Sequence, residues 1–349
     1  MLKWTLRIGG GLVALAGFVL ALVGPPAFAQ AQATDSSPHT VSFVTTSDGV
    51  KLEVLDWGGS GAPLVMIAGL GADAHVFDRF VARFAGKYHV YGVTRRGYGA
   101  SDRPDPAGGS YTADRLGDDV LAVIDKLKLE KPVLAGWSIG GQELSSIGSR
   151  YPEKVSGLIY LDAGYSYSFY SSGNLIPPNL NLIIDANDIK ARVSRLNAPG
   201  VNGDQVLVMF DELLNSAVPQ LQADLMASQK ITREALASIP APPPSSPPPE
   251  TPASRISAAI WAGAQKYTRI EAPILAIFAP VSPPPSTASE GSRANYALRH
   301  AAEIEQVKRF QAGLPHARVV SIPNAQHAIF VSHPEEVARE MTAFIDGLN

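Results

Sequence analysis

The chain has 349 residues, is 46% hydrophobic and 17% charged, and carries a net charge of −3 at neutral pH. That composition can bury a large core, in one domain with an insertion or in two, and without a long basic run it is a poor match to nucleic acid. It contains no cysteine, which excludes disulfides, thiolate metal sites and a cysteine nucleophile.

Residues 1–29 have the layout of a secretion signal. Lys3 and Arg7 precede an apolar stretch from Ile8 to Val23, and Ala27 and Ala29 give the small-x-small pattern that predicts cleavage after Ala29. The alternative is an uncleaved anchor, but the stretch is short for a bilayer span and rich in glycine and alanine. No stable membrane span is therefore expected once the signal is removed, and the lack of cysteine rules out a lipid-modified N-terminus. An exported chain without disulfides is expected in the periplasm or the medium of a bacterium.

Residues 30–39 are polar. After them "TVSFVTT" (40–46) and "VKLEVLDWG" (50–58) flank "SDG" and predict a hairpin. "PLVMIAG" (63–69) is a short apolar run suited to a strand buried on both faces. "HVFDRFVARFAGK" (75–87) has helical spacing and "HVYGVTRR" (89–96) reads as a strand. In "YTADRLGDDVLAVIDKLKL" (111–129), Leu116, Val120, Val123, Ile124 and Leu127 share one helix face. The strand "KPVLAGW" (131–137), the helix "GGQELSSIGSRYPEK" (140–154) and the strand "VSGLIYLDAG" (155–164) follow. The alternation resumes with "PILAIFAP" (273–280), a helix over 295–314, "ARVVSIPNA" (317–325) and a helix over 334–348. About eight strands, mostly parallel with an antiparallel first pair and flanked by helices, make this an α/β fold.

Residues 163–271 interrupt the pattern. They open on the aromatic-rich "GYSYSFY" and include the proline tract "APPPSSPPPETP" (241–252), which suits an extended surface linker. The expected organisation is a core over 30–162 and 272–349, with 163–271 as a cap inserted after the sixth strand.

Ser138 stands where a buried strand meets a helix, within Gly136-Trp137-Ser138-Ile139-Gly140. That is the context of a nucleophile elbow, a turn too sharp for side chains at its glycine positions. A glycine turn with a capping serine is the bland alternative. Ile139 offers its backbone N–H at a helix N-terminus, where developing negative charge is favoured.

With this elbow, the "IAGLGA" loop after the third strand, "RRGYGASDRP" (95–104) after the fourth, and a histidine after the last strand, the chain resembles an α/β-hydrolase over residues 40–164 and 272–349. The resemblance implies a Ser-His-acid mechanism, although the fold hosts many chemistries and some non-catalytic receptors. His327 is the candidate base: its loop would reach the serine end of the sheet, and a neutral imidazole can accept the Ser138 proton. Activity is then expected to rise with pH as that imidazole loses its proton. His39, His89, His300, His316 and His333 read as structural, and His75 lies near the loop after the third strand.

The acid departs from the family pattern, which usually places it after the seventh strand. Here that strand runs into "VSPPPSTASE", with Glu290 ten residues beyond Pro280, whereas Asp162 ends the sixth strand. Asp162 is the favoured acid and Glu290 the alternative. The resemblance also assigns an oxyanion site to the N–H groups of Leu70 and Ile139, with Ala68 where a histidine often anchors the loop. Arg96, Gly97, Gly99, Ser101 and Asp102 read as support for the elbow. Tyr165, Tyr167, Phe169 and Tyr170 open the cap and are candidate pocket residues or cap packing.

No metal constellation and no cofactor-binding loop appear in the sequence. The expected function is hydrolysis of a small, uncharged apolar or aromatic ester through an acyl-enzyme. Amidase, peptidase, carbon–carbon hydrolase or cofactor-free perhydrolase chemistry is the alternative, as is a non-catalytic periplasmic binding protein on the same fold.

Overall fold

The structure, a computed structural model, describes residues 37–84, 86–172, 179–238, 249–281, 283–284 and 286–348. The predicted signal segment and residues 241–248 of the proline tract lie outside the described residues.

Among the described residues, eight strands form one sheet: β1 (Thr40–Thr45), β2 (Lys51–Gly58), β3 (Pro63–Ile67), β4 (His89–Val93), β5 (Val133–Trp137), β6 (Gly157–Leu161), β7 (Ile274–Phe278) and β8 (Arg318–Ser321). Their order is β1-β2-β4-β3-β5-β6-β7-β8. The β1–β2 and β2–β4 pairs are antiparallel, and every other pair is parallel. β5, β6 and β7 are buried at every position, which explains their unbroken apolar sequences: helices cover both faces of a parallel sheet. Side chains alternate between the two faces. Val65, Ile67 and Leu134 join one core with Leu144 and Phe310, while Leu64, Met66, Val133 and Ala135 join the other with Phe77, Phe80 and Met341.

Among the described residues, eight main helices accompany the sheet: α1 (Ala113–Leu127), α2 (Gly141–Arg150), α3 (Leu180–Arg195), α4 (Gly203–Glu212), α5 (Val218–Ser238), α6 (Pro252–Ala262), α7 (Glu290–Gly313) and α8 (Pro334–Asp346). α1 starts where the Thr112 side chain accepts the Arg115 N–H, and stops at Lys128, whose φ is 56°. α2 is shorter than the sequence predicts, because Pro152 follows its end and begins a separate 3₁₀ turn. The helical spacing over 75–87 resolves into short helical turns, Ala74–Phe77, Asp78–Val81 and Ala82–Phe84.

Helices α3 to α6 lie between β6 and β7, with a π-helical turn at Leu213–Ala217 joining α4 to α5. Leu180 and Ile184 of α3 and Ile256 and Ile260 of α6 share a third apolar cluster with Tyr98, Ile139 and Tyr167. That cluster sits over the C-terminal strand ends, the edge where α/β sheets place their ligands. Among the described residues, no helix is long and apolar enough to cross a membrane.

Candidate active site

Ser138 follows β5 with φ of 54°, directly after extended Trp137, and opens the 3₁₀ turn Ser138–Gly140. The turn is tight. A Cβ on Gly136 would stand 2.7 Å from the Gly140 carbonyl oxygen, closer than real side chains approach, so only glycine fits there. Ile139 lies in the first turn after the strand, where backbone N–H groups have no intrahelical acceptor.

His327 lies beyond β8, just before a helical turn at Ile329–Ser332. Its Nε2 is 2.8 Å from Ser138 Oγ and its Nδ1 is 2.6 Å from Asp162 Oδ2. Asp162 follows β6, is 2% exposed and has φ of 46°. Its other oxygen, Oδ1, accepts the Tyr165 hydroxyl at 2.9 Å and the Ala279 N–H at 3.0 Å. A carboxylate surrounded by donors takes Nδ1–H from His327, which leaves Nε2 to accept from Ser138. The loop holding His327 is tied back through its own carbonyl, which accepts Trp137 Nε1–H at 2.9 Å. The two partners differ in exposure: the His327 side chain is 48% exposed and faces solvent, while the Asp162 carboxylate is buried.

Glu290 opens α7, exposed to solvent, and it is Asp162 that contacts the imidazole. The same helix brings a different carboxylate near the acid. Burial raises the Glu303 pKa, the N–H of Val281 at 2.5 Å opposes that, and the Asp162 charge raises it further. Nothing in the sequence of α7, which carries several carboxylates, singled out Glu303.

The four aromatics Tyr165, Tyr167, Phe169 and Tyr170 separate in space. Tyr165 donates its hydroxyl to Asp162, so it holds that carboxylate where the sequence suggested a pocket wall. Tyr167 is buried in the apolar cluster that contains Ile139, and its ring meets Trp261 edge-on at 5.7 Å. Burial, then the Asp162 charge, pushes both the Tyr165 and Tyr167 hydroxyls well above the ordinary phenol range, so both remain protonated. Phe169 is a correction to the pocket reading: it packs into the sheet core, its ring 5.8 Å from Phe310, because the chain has already turned away from Ser138. Tyr170 donates to Asp224 of α5 at 2.9 Å.

The loop after β3 packs beside the elbow. A Cβ on Gly69 would lie 2.8 Å from the Trp137 ring, and Leu70 joins the apolar cluster containing Ile139. Arg95 reaches this loop and α2, a role that nothing in "TRRG" distinguished from that of its neighbour Arg96. Arg96 instead pairs with Asp119 and Asp48. Ser101 accepts the Glu53 N–H, and Asp102 accepts the Lys51 N–H, fastening that turn to β2. His75 pairs with Asp78 at 3.1 Å.

A family model for the alpha/beta hydrolase family matches residues 64–340. The 2-(acetamidomethylene)succinate hydrolase of Mesorhizobium japonicum is 24% identical over 89% of this chain and 97% of its own length. The crystal structure of an E-2-(acetamidomethylene)succinate hydrolase superposes with a TM-score of 0.53 at 18% identity, covering 88% of this chain and 100% of that one. A thermophilic esterase from Thermogutta terrifontis, solved with malate bound, gives a TM-score of 0.54 at 17% identity over 88% of this chain and 99% of its own. At such identities the structural likeness shows the fold.

Proposed function

The chain belongs to the alpha/beta hydrolase family, and on that premise we propose that it is a serine hydrolase of carboxylic esters. The observation that carries this reading is the run of contacts from Ser138 Oγ through His327 to Asp162. In the proposed mechanism Ser138 Oγ attacks the ester carbonyl while His327 Nε2 takes its proton. Asp162 holds the imidazole in the required tautomer and stabilises the imidazolium. The N–H groups of Leu70 and Ile139 receive the oxyanion. His327 then protonates the departing alcohol, and water, activated by the same imidazole, releases the acid from Ser138.

The side chains about the nucleophile support an uncharged apolar or aromatic substrate. Leu70, Ile139, Tyr167 and Trp261 are neutral and pack in one cluster, and Tyr167 stays protonated. A doubly charged substrate such as the one named for the Mesorhizobium relative would need cationic partners that this wall does not offer.

Fluorophosphonate labelling followed by a panel of activated esters of increasing acyl length tests the reading. Wild type should label and turn over, and Ser138→Ala should do neither. A folded wild type that neither labels nor hydrolyses any ester would point instead to a binding protein on the same fold. Export follows from residues 1–29 under the same proposal, and a secreted or periplasmic product whose mass begins at Gln30 would bear it out.

A further inference from the structure

The Arg95 guanidinium touches both segments that carry the proposed oxyanion donors. Its Nη2 donates to the Ala68 carbonyl at 2.9 Å and its Nη1 to the Gly69 carbonyl at 3.2 Å, the two residues immediately before Leu70. Its Nε donates to Glu143 Oε1 at 2.5 Å, in the first turn of α2 and five residues beyond Ser138. Arg95 is 4% exposed and Glu143 1%. One rigid, planar fork therefore ties the loop after β3 to the helix that begins at the elbow. Lysine, with a single flexible ammonium, cannot copy that geometry.

Stability alone does not account for this pair. Taking both charges out of water is costly, and apolar residues of similar volume often serve the fold as well or better. The pair is also incompletely satisfied, since Glu143 Oε2 is buried without a hydrogen-bond partner. Strength would have called for a two-pronged contact with the carboxylate. Instead the other two prongs of Arg95 go to the carbonyls of Ala68 and Gly69. The alanine at position 68 has no side chain that could tie the loop down itself.

We infer that Arg95, held by Glu143, is a positioning residue that sets the spacing between the Leu70 and Ile139 N–H groups. The inference rests on the ester-hydrolase reading. It acts through donors that matter most when charge develops on the carbonyl oxygen, so its loss should affect the transition state more than ground-state binding.

The test compares Arg95→Lys and Glu143→Gln with wild type for kcat, KM and inhibition by a trifluoromethyl ketone analogue of the best ester. With a preserved melting temperature, each variant should lose roughly 10- to 100-fold in kcat, below the loss typical of deleting an oxyanion donor outright. KM should stay within about twofold, and the ketone should weaken by the same factor as kcat. Glu143→Gln keeps the side-chain volume and one acceptor, so it remains informative if Arg95→Lys does not fold. Folded variants with wild-type kcat, or with reduced kcat and undiminished ketone affinity, overturn the inference alone. A wild type inert toward esters and fluorophosphonate overturns the function and the inference together.

Discussion

Asp162 and His327 meet at 2.6 Å across 165 residues of chain, from strands that are not neighbours. β7 lies between β6, which Asp162 follows, and β8, which His327 follows. The residue just past β7, Ala279, gives its N–H to Asp162 Oδ1. The segment after β7, where the family resemblance led one to expect the acid, thus contributes a backbone donor to the carboxylate proposed for that role.

Asp162→Asn should therefore reduce kcat for ester hydrolysis by about 10³- to 10⁴-fold, the scale expected when the imidazole is left in the wrong tautomer. Glu290→Gln should leave kcat unchanged. Steady-state kinetics on both variants decides between the two carboxylates, and a silent Asp162→Asn would remove it from the mechanism.

Tyr165→Phe keeps the ring but deletes the donor to Asp162. Hydrogen bonds to charged groups contribute about 1.5–3 kcal/mol, and part of that should appear in the rate. The expected result is a kcat lower by about tenfold with KM little changed. If the loss appears only in KM, Tyr165 belongs to the substrate wall after all.

Gly136→Ala would force a methyl group against the Gly140 carbonyl and Leu144. Backbone has to shift, so the variant should lose at least about 2–4 kcal/mol of stability and all measurable labelling by fluorophosphonate. Urea denaturation and labelling of the folded fraction would reveal a tolerated substitution, contradicting the close approach.

The Asp48 pKa responds to burial, which would raise it, but hydrogen bonds from Arg96 and Thr46 prevail and lower it to about 2. A carboxyl whose folded-state pKa lies below its unfolded value stabilises the fold above that unfolded value, and the contribution disappears as pH falls through about 2. The Asp48 side chain is 35% exposed, so solvent screening keeps its share below about 1 kcal/mol. Asp48→Asn should accordingly melt below wild type at neutral pH, with the gap closing in strong acid. An equal gap at both pH values would assign the loss to packing.

Much of this molecule was legible in the sequence because local pattern and fold agree. Strands β5, β6 and β7 are buried throughout, and their apolar runs say so. Ser138 and His327 could be found because each stands at a strand end beside a recognisable turn. Asp162 was legible for the same reason. The partners of these groups were not, since they depend on which side chains the topology brings together. Tyr165 and Tyr167 are two residues apart and chemically alike, yet one donates to Asp162 and the other packs beside Ile139 and Trp261. Arg95 and Arg96 are adjacent and identical, and only the direction of each guanidinium separates loop anchor from structural ion pair.

Ser138 and Asp162 both hold a positive φ, a region that disfavours a residue with a Cβ by roughly 1–2 kcal/mol. Two of the groups proposed for catalysis thus sit where the backbone would rather have glycine. Ser138→Gly would relieve that penalty, offset in part by about 0.4–1 kcal/mol of added freedom in the unfolded chain. It should melt at or above the wild-type temperature while losing all turnover. The working protein would then be the less durable of the two, and screens for thermal endurance at these positions would select against activity.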